Sequence, residues 1–418
     1  MQATVIEKPT RDLRGIAIGI IAFMAAAGMI LMAIGTAGLQ STFVLTSQRA
    51  GVTIAAPDLV IPTNVSLIVL GVIAGVAGFW QVFRGFKKGD WVVILVTALL
   101  IMAFLVWATR GKSLNLTGMM VSSLVRATPI ALAALSGIYS ERSGVVNIGI
   151  EGMMLAGSFT SVVFASVSGN MFIGVIGGML AGVMLGALHA VLSIKYKVNQ
   201  IVSGAGIIIL ALGLTSYLQR SILNIFPYLN QPGPAIASFS IPILWKIPVL
   251  GPVLFNLSPI IYTMFALLII TQILMNKTKW GLRVRSVGEH PKAADTLGIN
   301  VFRVRYISVL LSGAIAGLAG TYMSIGGAGR FNEGMSVGKG FLGLAAMIFG
   351  NWNPFGAFAG SMIFGFFDSW QEKLSLLQVG VPVDLLGMAP YIATMIVLAG
   401  FVGRSRMPAA DGIPYEKE

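Results

Sequence analysis

The residues best placed to do chemistry stand close together in YSERSGVVNIGIEGMMLAG, from Tyr139 to Gly157, where Glu141, Arg142, Asn147 and Glu151 are set among apolar residues and four glycines. Two carboxylates, a guanidinium and a carboxamide can hold a polar solute, pair with one another, or pass a proton. The flanking residues are apolar enough to lie in a membrane, where an ionisable group is costly and is kept for a reason. Gly144, Gly149 and Gly152 are expected to break a regular helix. At that depth broken backbone is tolerated only inside protein or along a cavity, and a discontinuous helix is one way a polar site is built near the midplane. Asn147, Glu151 and Gly149, with Arg126 from the preceding apolar run, are therefore the candidate substrate-path residues. Arg126 needs an acceptor, and Glu151 or Glu141 is its expected partner in a structural ion pair. Glu141 and Arg142 are read as a pair at the cytoplasmic interface.

Other chemistry finds little support. His189 and His290 are lone histidines without metal-ligand spacing, so no metal site and no catalytic residue is assigned. There is no HExxH, no GxSxG and no ligand-spaced carboxylate cluster. GMSVGKG, from Gly334 to Gly340, imitates a phosphate loop, but its spacing is wrong and Gly340 stands where Ser or Thr is needed. With zero cysteines, disulfides, thiolate metal sites and cysteine nucleophiles are excluded.

The elements that must position these residues follow from composition. Of 418 residues 56% are hydrophobic, 10% are charged and 51 are glycine, too apolar a balance for a water-soluble globule. Lipid must be the solvent. With about 17–25 apolar residues as the spanning length, twelve segments are predicted: 15–39, 66–83, 91–108, 118–139, 147–168, 170–194, 199–218, 257–275, 306–325, 339–350, 354–372 and 385–403. The tenth is too short to cross alone and is expected to be a half-helix packed inside the protein. The first is too long for the apolar core of a signal peptide and lacks a cleavage site, so it is read as a span. The expected fold is an all-α polytopic transmembrane bundle of about twelve membrane segments, broken or half helices included.

The formal charge of +13 raises the question of nucleic acid, but no basic stripe with interleaved aromatics is present, and none is expected as a partner. Alternating the spans from a cytoplasmic N-terminus places 19 of the 28 Lys and Arg on one side and 8 on the other, with Arg126 inside a span. That asymmetry fits the positive-inside rule and puts both termini in the cytoplasm. Residues 219–256, rich in proline, then form an external loop, either a docking place for a delivery protein or a stiffened connector. Residues 276–305 form a basic cytoplasmic loop with one short helix expected in its middle, opening at Pro291 and closing on Gly298. Gly174, Gly178, Gly182 and Gly186 fall four apart and line one face of the sixth span for close helix packing.

SERSGVVNIGIEGMMLAG from Ser140, YKVNQIVSG from Tyr196, GLRVRSVGEHPKAADTLGINVFRVRY from Gly281 and GKGFLGLAAMIFGNWNPFGAFAG from Gly338 together resemble the permeases of bacterial ABC importers for nucleosides and simple sugars, within the branched-chain amino acid and ribose permease superfamily. The resemblance runs from about residue 117 to 403. It implies a multi-pass subunit of the bacterial inner membrane working by alternating access. Its implied partners are a second related permease in a heterodimer, a cytoplasmic double-domain ABC ATPase, an external substrate-binding lipoprotein and membrane lipids. No cofactor is implied on this chain; ATP and Mg belong to the ATPase. The loop with Gly288, Glu289, Ala293, Ala294, Asp295 and Gly298 resembles the coupling helix that docks into the ATPase. On this reading residues 1–116 are an N-terminal extension with about three transmembrane helices, 117–403 the permease core and 404–418 a cytoplasmic tail. The expected cargo is a nucleoside, with a simple sugar as the alternative. The rival readings are a proton-coupled secondary transporter using Glu151 and Arg126, and an intramembrane enzyme.

Overall fold

The computed structural model describes residues 13–49, 52–86, 89–233, 236–382, 385, 387–388 and 406–417. In hydrocarbon each backbone N–H and C=O must be satisfied within the protein, so the long apolar runs form helices. They are α1 (Leu13–Met32), α2 (Thr63–Phe83), α3 (Asp90–Ala108), α4 (Leu116–Glu141), α5 (Ile150–Ser168), α6 (Met171–Ala190), α7 (Gln200–Leu218), α8 (Leu250–Leu254), α9 (Pro259–Lys277), α10 (Lys279–Glu289), α11 (Pro291–Thr296), α12 (Val301–Met323), α13 (Lys339–Phe349) and α14 (Pro354–Leu376). Among the described residues nine of them, α1–α7, α9 and α12, are long and apolar enough to cross a membrane. α13 is the short helix expected inside the protein. α14 has the length, but its second half carries Asp368, Glu372 and Lys373.

Eleven of the predicted segments fall on helices, and the twelfth, 385–403, lies outside the described residues. The differences are at the ends. α1 stops at Met32 and turns, seven residues earlier than expected. α12 starts at Val301 rather than 306, because the Asn300 side chain accepts from the Arg303 amide at 2.9 Å and caps it. α6, α7 and α12 each run on through a π turn, at Val191–Lys195, Gln219–Leu223 and Ser324–Ala328. The basic loop holds two helices, not one. α10 was hidden by its charges, yet it buries Gly281, Val284, Val287 and Gly288 on one face. Pro291 opens α11, and Gly298 ends it at φ +79°.

Short strands qualify the all-α expectation. β1 (Gln40–Val44), β2 (Ser47–Arg49), β3 (Val52–Ile54), β4 (Leu59–Pro62) and β5 (Ser113–Asn115) lie between the first helices, and β6 (Phe239–Ser240) pairs with β7 (Asn256–Leu257) to close the proline-rich loop.

The chain divides into two compact units: Met1–Thr117 with Glu372–Val383, and Gly118–Gln371 with Asp384–Glu418. In the first, β1 runs between antiparallel β4 and parallel β5. The buried Ser41 hydroxyl ties this sheet to the helices, donating to the Val106 carbonyl at 2.7 Å and lying 2.7 Å from the Thr63 hydroxyl.

The second unit is built around α4, α5 and α12, each more than 60% buried, while α6, α7 and α9 are about a third buried and have faces left for lipid. α5, α6 and α12 approach closely where their glycines meet. A Cβ on Gly182 would collide with the Gly313 carbonyl, one on Gly178 with the Thr321 hydroxyl, and one on Gly157 with the Gly317 backbone. Backbones at such separations make van der Waals and weak C–H···O contacts that lipid tails cannot replace. Gly206 on α7 is the opposite case, with open space where a Cβ would go. Gly182→Leu is therefore expected to abolish monodisperse protein in detergent, read by size-exclusion chromatography, whereas Gly206→Ala leaves the profile unchanged and the melting temperature equal or higher.

Candidate functional site

The segment from Tyr139 to Gly157 sits where the chain breaks. α4 ends at Glu141, α5 begins at Ile150, and residues 142–149 are irregular backbone inside the protein. Gly144 makes the break possible at φ +83°; a Cβ there would lie 2.8 Å from an Arg305 nitrogen. Gly152, expected to break the helix too, lies within α5 instead and lets the Ile207 carbonyl approach.

The peptide groups of this segment are satisfied by side chains from several elements. The Val146 amide donates to Gln200 Oε1 at 2.7 Å. His189 Nε2 lies 2.9 Å from the Val146 carbonyl, and its Nδ1 lies 3.0 Å from the Ser203 hydroxyl. A carbonyl only accepts, so this pair fixes the proton on Nε2 and leaves Nδ1 as acceptor. Arg305 Nε donates to the Ser143 carbonyl at 3.2 Å, and the Ser140 hydroxyl donates to the Val145 carbonyl at 2.6 Å. His189 thus has a structural task that its isolation in the sequence concealed.

The expected Glu141–Arg142 pair is replaced by two contacts with the turn between α13 and α14. Glu141 is buried and accepts from Trp352 Nε1 at 2.7 Å, while Arg142 donates to the Trp352 and Asn351 carbonyls at 3.2–3.3 Å. Asn351 and Trp352 both have positive φ, a turn that bulky residues enter only when the surroundings hold it.

Asn147 is fully buried and donates through Nδ2 to the Ser312 hydroxyl at 3.1 Å, which lies 2.9 Å from that of Ser136. Its Oδ1 has no hydrogen-bond partner among the described residues. Gly149 packs against Gly204 of α7. Glu151 has a different neighbour from the one expected. Its carboxylate accepts from the Gly338 amide at 2.8 Å and the Gly340 amide at 2.6 Å, capping the half-helix α13. A carboxylate at a helix N-terminus completes the first-turn donors and complements the dipole. The false phosphate loop GMSVGKG does present amides to an anion, and the anion is Glu151.

Arg126 pairs with neither Glu141 nor Glu151. Its Nη1 lies 3.9 Å from Asp368 Oδ2, and Lys339 Nζ donates to the same oxygen at 3.2 Å. Asp368 and Lys339 were not among the sequence candidates. One signal was available: α4 and α14 are both apolar helices with a charge in mid-length, and such charges seek each other.

At the other end of the unit, the loop from Gly288 to Gly298 forms an elbow. Gly288 abuts the Arg142 carbonyl, where a side chain would collide, and Ala294 is buried. His290 Nδ1 accepts from the Ala293 amide at 3.1 Å. Glu289, Ala293 and Gly298 face outward, Asp295 is half-buried, and Leu297 is 80% exposed. Residues 406–417, expected to be a simple tail, are folded against this elbow. The Ala410 amide donates to the Gly288 carbonyl at 2.8 Å, the Ala409 amide to Glu289 Oε2 at 3.3 Å, and Arg305 Nη1 to the Ile413 carbonyl at 3.0 Å. Tyr415 is buried with its ring 5.4 Å from that of Phe302, and Lys197 pairs with Glu416 at 2.5 Å. Burial pushes the Asp411 carboxyl up to about 7, against the pull of neighbouring Arg305.

Known proteins resemble this chain over the same region. The model of the family described as branched-chain amino acid transport system / permease component matches residues 119–401. The guanosine ABC transporter permease protein NupQ of Bacillus subtilis (strain 168) is 42% identical over 307 residues, 71% of this chain and 95% of the relative. The nucleoside ABC transporter permease protein NupC of Lactococcus lactis subsp. cremoris (strain MG1363) is 38% identical over 70% of this chain and 95% of its own length. The putative glucose ABC transporter permease protein TsgC13 of Haloferax volcanii is 32% identical over 72% and 98%. The same two bacteria each supply a second, more distant match of the same kind, NupP and NupB. No solved structure matches.

Two outcomes follow from this geometry. Glu151→Gln keeps the size but removes the charge and one acceptor, and is expected to cost about 1–3 kcal/mol, seen as a lower melting temperature in detergent. For Asp411 the sign is set by its raised carboxyl, which binds its proton more tightly in the folded chain than in the unfolded one. Its contribution to tail docking is whole at low pH and is lost as pH rises through about 7. Trypsin cleavage after the exposed Arg406 is expected to accelerate from pH 6 to pH 8 in the wild type relative to Asp411→Asn.

Proposed function

The chain belongs to the branched-chain amino acid transport system / permease component family, and on that premise we propose that it is the membrane subunit of an ATP-binding cassette importer that carries nucleosides. It is a multi-pass inner-membrane protein. The observation that carries the reading is the 42% identity to a guanosine permease and 38% to a nucleoside permease, each matched over 95% of its length. The glucose relative, at 32%, keeps a simple sugar as the second reading.

The relatives come in pairs within one bacterium, which supports a second related permease beside this chain. We assign ATP hydrolysis, with its Mg, to a separate double-domain ATPase, and delivery outside to a substrate-binding lipoprotein. The elbow α10–α11 is where the ATPase docks. Leu297 and Ala293 form an exposed apolar knob on a body fixed from behind by Ala294 and Gly288. From Gly288 contact passes to Arg142, and from Arg142 and Glu141 to Trp352 at the foot of α14. Movement of the elbow when the ATPase closes reaches the broken helix and the half-helix through these contacts, alternately opening the path to either side. For that path Asn147 offers Oδ1, an acceptor with no partner among the described residues. Glu151 and Arg126 do not form the couple that a proton relay between them would need, since each is engaged elsewhere.

Leu297→Asp puts a charge where an apolar contact is expected. In the purified complex it should lower nucleoside-stimulated ATP hydrolysis at least tenfold, while this chain elutes and melts as the wild type does. Full stimulation in that variant would remove the elbow from the coupling route.

A further inference from the structure

Arg126, Lys339 and Asp368 meet beside the start of α13, whose first amides are held by the Glu151 carboxylate. α4 ends and α14 begins at one level, joined by the bond between Trp352 and Glu141. From Glu141 back to Arg126 is fifteen helical residues, about 22 Å at 1.5 Å per residue, and from Pro354 on to Asp368 is fourteen, about 21 Å. The two rulers agree, and both place the cluster well inside a hydrocarbon core of about 30 Å. Yet the side chains of Arg126, Asp368 and Lys339 remain 36%, 22% and 22% exposed. Charges partly uncovered at that depth are costly against lipid tails, and ionisable groups in membrane segments as a rule face the interior of a bundle or a water-filled cavity. By contrast Asn147 and Glu151 are almost completely covered by protein.

The chemistry of the cluster narrows what it takes. Asp368 has two cations beside one oxygen, Lys339 Nζ at 3.2 Å and Arg126 Nη1 at 3.9 Å, and its other oxygen adds further acceptor capacity. A carboxylate accepts from two neighbouring hydroxyls at once, as acidic residues do with ribose in dinucleotide sites. Ser122, one turn before Arg126, adds a half-buried hydroxyl.

We propose that Arg126, Lys339 and Asp368 line the aqueous path and that the Asp368 carboxylate accepts hydrogen bonds from the vicinal hydroxyls of the cargo's sugar. This rests on the importer reading. The diol chemistry is shared by ribonucleosides and simple sugars, so the test separates them.

The full complex of this chain with its partner subunits is reconstituted, and ATP-driven uptake is measured for a ribonucleoside, its 2′-deoxy counterpart and glucose. For the wild type the ribonucleoside is expected to have a KM at least tenfold below that of the deoxynucleoside. Glucose taken up in preference to both would make a free sugar the source of the diol and retain the site. Asp368→Asn is expected to raise the ribonucleoside KM about tenfold or more, to erase the ribo–deoxy difference, and to change kcat less than threefold. Because the chain has no cysteine, Ser122→Cys is a single target on it. A charged, membrane-impermeant thiol reagent should modify it in the reconstituted complex, and the ribonucleoside should slow that reaction several-fold. This second measurement does not depend on how well Asp368→Asn folds. Wild-type uptake without ATP dependence would overturn the importer reading itself. ATP-driven uptake with an unchanged KM in folded Asp368→Asn, or with Ser122→Cys inert or unprotected, would overturn this inference alone.

Discussion

Everything distinctive in this protein depends on one constraint: inside a membrane an interrupted helix must find partners for each peptide group it frees. Two interruptions matter, the segment 142–149 and the start of α13. The first is satisfied by Gln200, His189, Arg305 and Ser140, the second by the carboxylate of Glu151. Since Glu151 lies just past the first interruption and caps the second, the two are joined, and α5 and α13 are held as a pair. A lost partner here exposes a peptide group to hydrocarbon, which costs far more than the same loss at a wet surface.

That arrangement explains why the four sequence stretches that suggested a family are spread over 220 residues of chain. They are parts of one knot. SERSG meets NWNP through Glu141, Arg142 and Trp352; VNIGIEG meets GKG through Glu151; VNQ meets the break through Gln200; and RVRY meets it through Arg305. The elbow and the folded tail lie against one side of this knot, and the charged cluster, which includes Lys339 of GKG, lies about 20 Å along α4 and α14 from the contact of Glu141 with Trp352. A docking signal and a transport path are therefore mechanically connected through short, well-packed contacts.

Much of this was legible in the sequence because the period and length of apolar runs are dictated by lipid. The helices, the half-helix at 339–350, the interruption near Gly144 and the end of α11 at Gly298 were all readable in that way. Pairings were not. Glu141 and Arg142 are adjacent in the chain, and adjacency suggested a pair, but helical geometry sends neighbours in different directions and each found a closer partner on the α13–α14 turn. Arg126 was matched to the nearest carboxylates in sequence, whereas its acceptor, Asp368, comes from a helix more than two hundred residues later. α10 is hard to read from sequence because three of its eleven residues are basic and its buried face uses two glycines, which carry no hydrophobic signal. The tail was missed because its anchoring is largely through backbone amides and carbonyls, which no residue type announces.

The central claim is that this chain moves nucleosides with energy from ATP. It is tested most directly by loading proteoliposomes that contain the chain, its companion permease, the ATPase and the binding protein, and by following a labelled nucleoside under two driving forces in turn. The account predicts accumulation when ATP is present on the ATPase side, abolished by a non-hydrolysable analogue, and none when a proton gradient is imposed without ATP. Accumulation driven by the gradient alone would contradict it.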